Sequence, residues 1–148
     1  MNLQQPSTSY KPFLYEWAVK AAKEHEAIHW TEEEIDLGQD LADWKNGNLS
    51  QVEIQHITSI LQLFTQLDVS VGQNYYDYLI PTFKNNEIRM MLGSFASREG
   101  IHARAYALLN DTLGLPEQEY SAFLEYKEML DKVEFISDNN TSTDTGVG

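Results

Sequence analysis

The sequence predicts an all-α protein, an antiparallel bundle of helices, on three observations. Apolar residues recur three and four apart over long stretches, as in Ile57, Ile60, Leu61, Phe64, Leu67 and Val71, the spacing that lines one side of a helix. Helix-start and helix-stop chemistry brackets these stretches, with Ser50-Gln51-Val52-Glu53 before one and Gly114-Leu115-Pro116 after another. The connections between them are short, which lays successive helices side by side in opposite directions.

The elements follow in order. Residues 1–13, punctuated by Pro6 and Pro12, read as an extended N-terminal arm. A first helix spans Leu14 to His29, the acidic run Thr31-Glu32-Glu33-Glu34 follows, and a short helical piece carries Leu41 to Trp44. Asn46-Gly47-Asn48 is a break. Ser50 and Glu53 then form a capping box, in which the hydroxyl and the carboxylate each satisfy a free backbone donor. The helix they open runs to about Leu79 and stops near Pro81. The next fits Glu87 to Leu113 and ends at Gly114. A last helix starts at Pro116, where proline is tolerated and Glu117 and Glu119 face the positive helix end. It carries Phe123, Tyr126, Met129 and Val133. After Ser137 the composition turns abruptly polar and small, and residues 138–148 read as a truncated tail, a chain interrupted rather than finished.

Composition bounds the function. One domain's worth of chain, 148 residues with 42% apolar and 11% aromatic content, can bury a single core. A net charge of −13 repels nucleic-acid phosphates and anionic membrane surfaces, so neither is an expected partner. Without a single cysteine, disulfides, thiolate zinc sites and thiol catalysis are excluded. The opening residues show neither a basic nor an apolar leader segment, and no apolar run reaches the length of a membrane span. The expected location is the cytoplasm.

The chemistry lies in polar residues that interrupt apolar stripes. Asp68 falls on the side of its helix that carries Leu61, Phe64 and Val71. On the next helix Ile88, Met91, Leu92 and Phe95 are followed by Glu99, His102 and Tyr106, which stay on one side at about 100° per residue. A lone core Asp is commonly a satisfied acceptor, a lone core His structural, and a core Tyr a packing residue with one partner for its hydroxyl. Two carboxylates and an imidazole on adjacent helices are different, because buried carboxylates are costly unless paired or bound to metal. Glu-x-x-His pointing inward is the ligand unit of di-iron carboxylate bundles, and oxygen with imidazole suits iron or manganese.

A second pattern competes for attention. His25-Glu26-Ala27-Ile28-His29 matches H-E-x-x-H, the zinc-protease signature on a helix. A zinc protease needs a third ligand. The remaining histidines, His56 and His102, do not follow the extended spacing of that class, so the pattern is not read as a protease site.

At these residues the sequence resembles the small, radical-generating subunit of class I ribonucleotide reductase. The landmarks are HWTEEEID (29–36), FTQLDVSVGQNY (64–75) and EIRMMLGSFASREGIHARAY (87–106), in the right order, within a resemblance from about Trp17 to Ile136. It implies a ferritin-like di-metal carboxylate bundle, here incomplete, with residues 14–137 its N-terminal part. It implies that Asp68, Glu99 and His102 are ligands of a di-iron centre, or a dimanganese one in some branches. Tyr106 then matches the tyrosine oxidised to a stable radical, and Trp30 the tryptophan that passes the oxidising equivalent toward the large subunit. The implied partners are that large subunit, a second small subunit in a homodimer, and a further chain supplying the other half of the metal site, whose later glutamates and second Glu-x-x-His are missing from these residues. Catalysis by this chain alone is therefore not expected.

Two alternatives belong to other classes. Glu26-x-x-His29, with Asp68, Glu99, His102 and Glu125 or Glu128, could close a self-contained ferritin-like iron-binding or iron-oxidising site. A non-catalytic helical interaction module would bind no metal.

Overall fold

The structure is a computed structural model and describes residues 2–116, 130–132, 134 and 135. These residues are helical with no strand among them, as the sequence predicts. Helix α1 is Glu16–Ala27, α2 is Gly38–Lys45, α3 is Gln51–Asn74 and α4 is Asn86–Leu113. A 3₁₀ turn, Glu32–Glu34, stands between α1 and α2. Of the helix expected from Pro116, Pro116 itself, 130–132, 134 and 135 fall among the described residues; Pro116 is not helical and the others are. Phe123, Glu125, Tyr126, Glu128, Met129, Val133 and the 138–148 tail lie outside them.

Local chemistry accounts for the boundaries. The Ser50 amide and hydroxyl both donate to Glu53 Oε2 at 2.7 Å, and the Glu53 amide donates back to Ser50 Oγ at 3.3 Å, so the capping box forms. The Ser50 hydrogen bonds hold the Glu53 carboxyl below its ordinary pKa. Ser50→Ala should cost about 1 kcal/mol of stability, read as a lower thermal midpoint.

Past Asn74, α3 continues through a π turn, Tyr75–Leu79, into a last turn, Ile80–Thr82. Pro81 explains the widening. Proline has no amide hydrogen, and its ring crowds the carbonyl four residues back. The Ile80 amide instead reaches Tyr75 O, five residues back.

Helix α4 is capped at both ends. Asn85 Oδ1 accepts the amides of Glu87 and Ile88 at 3.0 and 3.3 Å, an Asn N-cap. At the other end Gly114, with φ +73°, adopts the left-handed conformation. Its amide donates to Asp111 O and that of Leu115 to Asn110 O, both at 3.1 Å, completing a Schellman motif. Helix α1 stops at Ala27, short of the expected His29, because the Ile28 amide turns back to His25 O at 3.3 Å.

The chain divides into two compact units. The first comprises Met1–Thr31 and Val71–Ile101. Its core joins Ala18 of α1 to Ile88 and Leu92 of α4, with Leu3, Tyr15, Tyr75, Leu79, Ile80, Phe83 and Met91 packed around them. The N-terminal arm is tied down in this unit. Leu3 O accepts the amides of Lys84 and Asn85, and Ser7 Oγ accepts from the Asn86 amide at 2.9 Å. Glu87, only 4% exposed, accepts the Leu14 amide at 3.0 Å and the Ser7 hydroxyl at 3.5 Å.

Burial alone raises the Glu87 pKa, but the hydrogen bonds from the Leu14 and Glu87 amides, Asn85 and Ser7 outweigh it and lower the value. A carboxyl depressed on folding stabilises fully above its unfolded pKa, about 4.3. That contribution is lost as pH falls through the lower folded value. Glu87→Gln should therefore lower stability near neutral pH by about 2 kcal/mol, the scale for hydrogen bonds to a charged group. It should also flatten the acid-side fall in the thermal midpoint. An unchanged acid limb would contradict the assignment.

The second unit comprises Glu32–Ser70 and the described residues from His102 onward. Here Arg104 Nε donates to Glu32 Oε1, tying the acidic turn to α4. That hydrogen bond lowers the Glu32 pKa and raises that of Arg104.

The apolar stripe of α3 is less buried than its spacing predicts. Leu61 and Thr58 are buried and Ile57 and Leu67 half-buried, whereas Ile60 (38%), Phe64 (47%) and Val71 (39%) are exposed. The buried arc is centred on Thr58 and Leu61, so the Ile60–Phe64–Val71 edge of a wide stripe falls outside it. An exposed edge of this kind drives association. The chain should bind a hydrophobic dye and self-associate, and Phe64→Ser should weaken both; a dye-silent monomer would contradict this.

Candidate metal centre

Asp68 stands on α3, and Glu99 and His102 stand one turn apart on α4. Each offers one ligand atom, and these atoms lie within 4.8 Å of one another. No other group of His, Asp or Glu among the described residues meets that geometry. All three are half-buried rather than fully buried.

The donor set fits a metal ion. Bonds of roughly 2.0–2.2 Å to nitrogen and oxygen place opposite ligands about 4.2 Å apart, so a small inward movement would close this set on one ion. Two carboxylate oxygens and an imidazole nitrogen match iron or manganese, and the charge of the carboxylates offsets that of a divalent cation. The α3 backbone comes close here, since a Cβ built on Gly72 would stand 3.8 Å from Glu99 Cβ. That is ordinary van der Waals contact.

Tyr106, one turn beyond His102, is half-buried. Burial first and the charge of Asp68 second push its phenol pKa up. Tyr75 is raised in the same way, by burial and then by Glu99. Both phenols are therefore neutral and protonated at ordinary pH. Phe64, on the α3 stripe with Asp68, is exposed.

The H-E-x-x-H residues do not assemble a site. The helix ends before His29, which is exposed, as is Glu26. His25 turns the other way, with Nδ1 3.0 Å from Ser94 Oγ and its ring edge-on to Phe95 at 4.7 Å between centroids. Glu26 and His29, which the self-contained alternative needs, are not in the Asp68–Glu99–His102 group, and its Glu125 and Glu128 lie outside the described residues.

Trp30 is half-buried, with the Arg98 guanidinium 6.0 Å above its ring centroid. Sequence reasoning missed Arg98, Tyr75 and the Glu32–Arg104 pair. No local signal marks them, because their partners are 24 to 73 residues away, and only the packing of helices brings them together.

An all-α chain that brings two carboxylates and an imidazole together carries the donor set of the carboxylate–histidine metal proteins. The sequence pattern of one such family, described as "Ribonucleotide reductase, small chain", matches residues 7–146. The chain belongs to the ribonucleotide reductase small-chain family, as its motifs suggested.

Among similar proteins is the probable ribonucleoside-diphosphate reductase small subunit of Invertebrate iridescent virus 6, 43% identical over 92% of this chain and 38% of that protein. The corresponding protein of Invertebrate iridescent virus 3 is 39% identical over 98% of this chain and 38% of its own length. Ribonucleoside-diphosphate reductase small chain 1 of Saccharomyces cerevisiae is 32% identical over 84% of this chain and 31% of its own. The chain thus spans well under half the length of these relatives. No helix among the described residues is long and apolar enough to cross a membrane.

Proposed function

We propose that this chain supplies Asp68, Glu99 and His102 to the di-metal centre of a ribonucleoside-diphosphate reductase small subunit, with Tyr106 as the residue oxidised to a radical. The observation that carries the reading is the convergence of those three ligand atoms within 4.8 Å. Bound iron, or manganese, would supply the oxygen chemistry that makes a phenol oxidisable. The chain's own residues do the rest. Asp68 and Glu99 hold the metal's charge, His102 fixes an imidazole between the Glu99 turn and the Tyr106 turn, and half-burial limits access of reductants to the phenol. Trp30 relays the oxidising equivalent toward the large subunit, where ribonucleotides are reduced to deoxyribonucleotides. The proposed partners are that large subunit and a second small subunit.

Anaerobic loading with iron(II) tests the reading. Two irons per completed centre are expected when the remaining ligands are supplied, together with deoxyribonucleotide formation once the large subunit is added. A completed assembly that takes up no iron would overturn it.

A further inference from the structure

Among the described residues Arg98 makes no ion pair, yet it is well placed. Its Nη2 donates to His25 O at 2.9 Å, anchoring it to the last turn of α1. Its Nη1 is buried and has no hydrogen-bond acceptor among the described residues. The guanidinium carbon lies 6.0 Å over the Trp30 ring, at the edge of cation–π range. A buried guanidinium N–H without an acceptor is costly, and the negative face of the indole is the group at hand to offset it. All four features belong to the first compact unit, so they depend only on α1, the segment after it and α4.

We propose that Arg98 is a positioning residue for Trp30, which fixes the indole ring and makes removal of an electron from it harder. The physics has two parts. A cation stacked on an aromatic face is favourable while the ring is neutral and repulsive once the ring carries positive charge, so Arg98 stabilises the neutral form. Anchoring by His25 O keeps the guanidinium from moving away as charge develops. The hydrogen bond to the helix end is also favourable in its own right, since a cation there meets the negative end of the α1 dipole. The inference deepens the relay role proposed for Trp30, because a guarded indole would pass charge only to a strong oxidant and would not be consumed by weak ones. Its physical content, however, stands on the Arg98–Trp30 contact alone.

The test uses the 148-residue chain with Trp17→Phe and Trp44→Phe, leaving Trp30 as its tryptophan. High-frequency square-wave voltammetry reads the ring's oxidation to its cation radical. The electrode accepts one electron on that timescale, before the indole N–H proton passes to buffer. Arg98→Gln should ease oxidation by about tenfold in the equilibrium constant, the scale of a partly desolvated cation–π contact. Arg98→Lys, which keeps a cation but not the fork, should retain most of the parent value. Acrylamide, a neutral quencher, should reach the Trp30 fluorescence more readily in the Gln variant. Far-UV circular dichroism establishes that each variant keeps its helices.

Equal potentials in the parent and a helical Arg98→Gln would overturn the proposal. So would a Lys variant indistinguishable from Gln. If Arg98→Gln has lost its helices, the Arg98→Lys potential decides: a value equal to the parent's supports the proposal and an eased oxidation overturns it. Trp30→Phe in the completed assembly tests the relay separately. If it leaves deoxyribonucleotide formation unchanged, the relay role fails while the potential measured here still stands or falls by itself.

Discussion

Tyr106→Phe should abolish the tyrosyl radical while leaving metal uptake intact. The phenol stands one helical turn beyond His102, on the side of α4 that carries the ligands, and it is neutral because burial and Asp68 both disfavour its ionised form. Phenylalanine keeps the ring and its packing and removes only the O–H that is oxidised. After iron(II) and oxygen are added to the completed assembly, electron paramagnetic resonance should show the radical in the parent and none in the variant. The iron content should be equal in the two. A radical of undiminished size in the Phe variant would move the role to another of the eight tyrosines, with Tyr75, raised by burial and by Glu99, the first to test.

His102→Ala should weaken metal binding by more than the roughly 10–100-fold that loss of an outer partner costs, because it removes a direct ligand. Asp68→Asn should act in the same direction, since an amide keeps the shape but not the charge that offsets the cation. His29→Ala and His56→Ala should leave affinity unchanged, as both side chains are exposed and outside the cluster. Manganese(II) titration followed by calorimetry would read all four variants. A larger loss in His29→Ala than in His102→Ala would restore the H-E-x-x-H reading.

Much of this was legible in the residues. The capping box at Ser50 and Glu53, the end of α4 at Gly114 and the one-turn spacing of Glu99 and His102 each depend on short-range chemistry or on helical spacing, which a sequence displays directly, whereas Asp68, on another helix, was joined to them by the family resemblance. Helix ends set by distant partners were not legible. Helix α1 was expected to reach His29, yet the Arg98 side chain and the Ile28 amide claim the His25 carbonyl and end it early. The arm was expected to be extended, but Ser7 and Leu3 fasten it to the start of α4, and the buried Glu87 that receives it looks in sequence like an ordinary first-turn carboxylate. The stripe of α3 gave the direction of its apolar side but not how much of it would be covered, since coverage depends on what packs there. Phe64 is the clearest case, apolar by spacing and exposed in fact.

The most direct measurement is the position of a bound ion. Crystals of the chain grown with manganese(II), with data collected on either side of the manganese absorption edge, locate the ion by its anomalous scattering alone. The expected result is a peak within bonding distance, roughly 2.0–2.2 Å for such donors, of a carboxylate oxygen of Asp68, one of Glu99 and a ring nitrogen of His102. A peak at His25 and His29 instead, or fully occupied manganese elsewhere with those three side chains turned away from one another, would contradict the assignment of the centre.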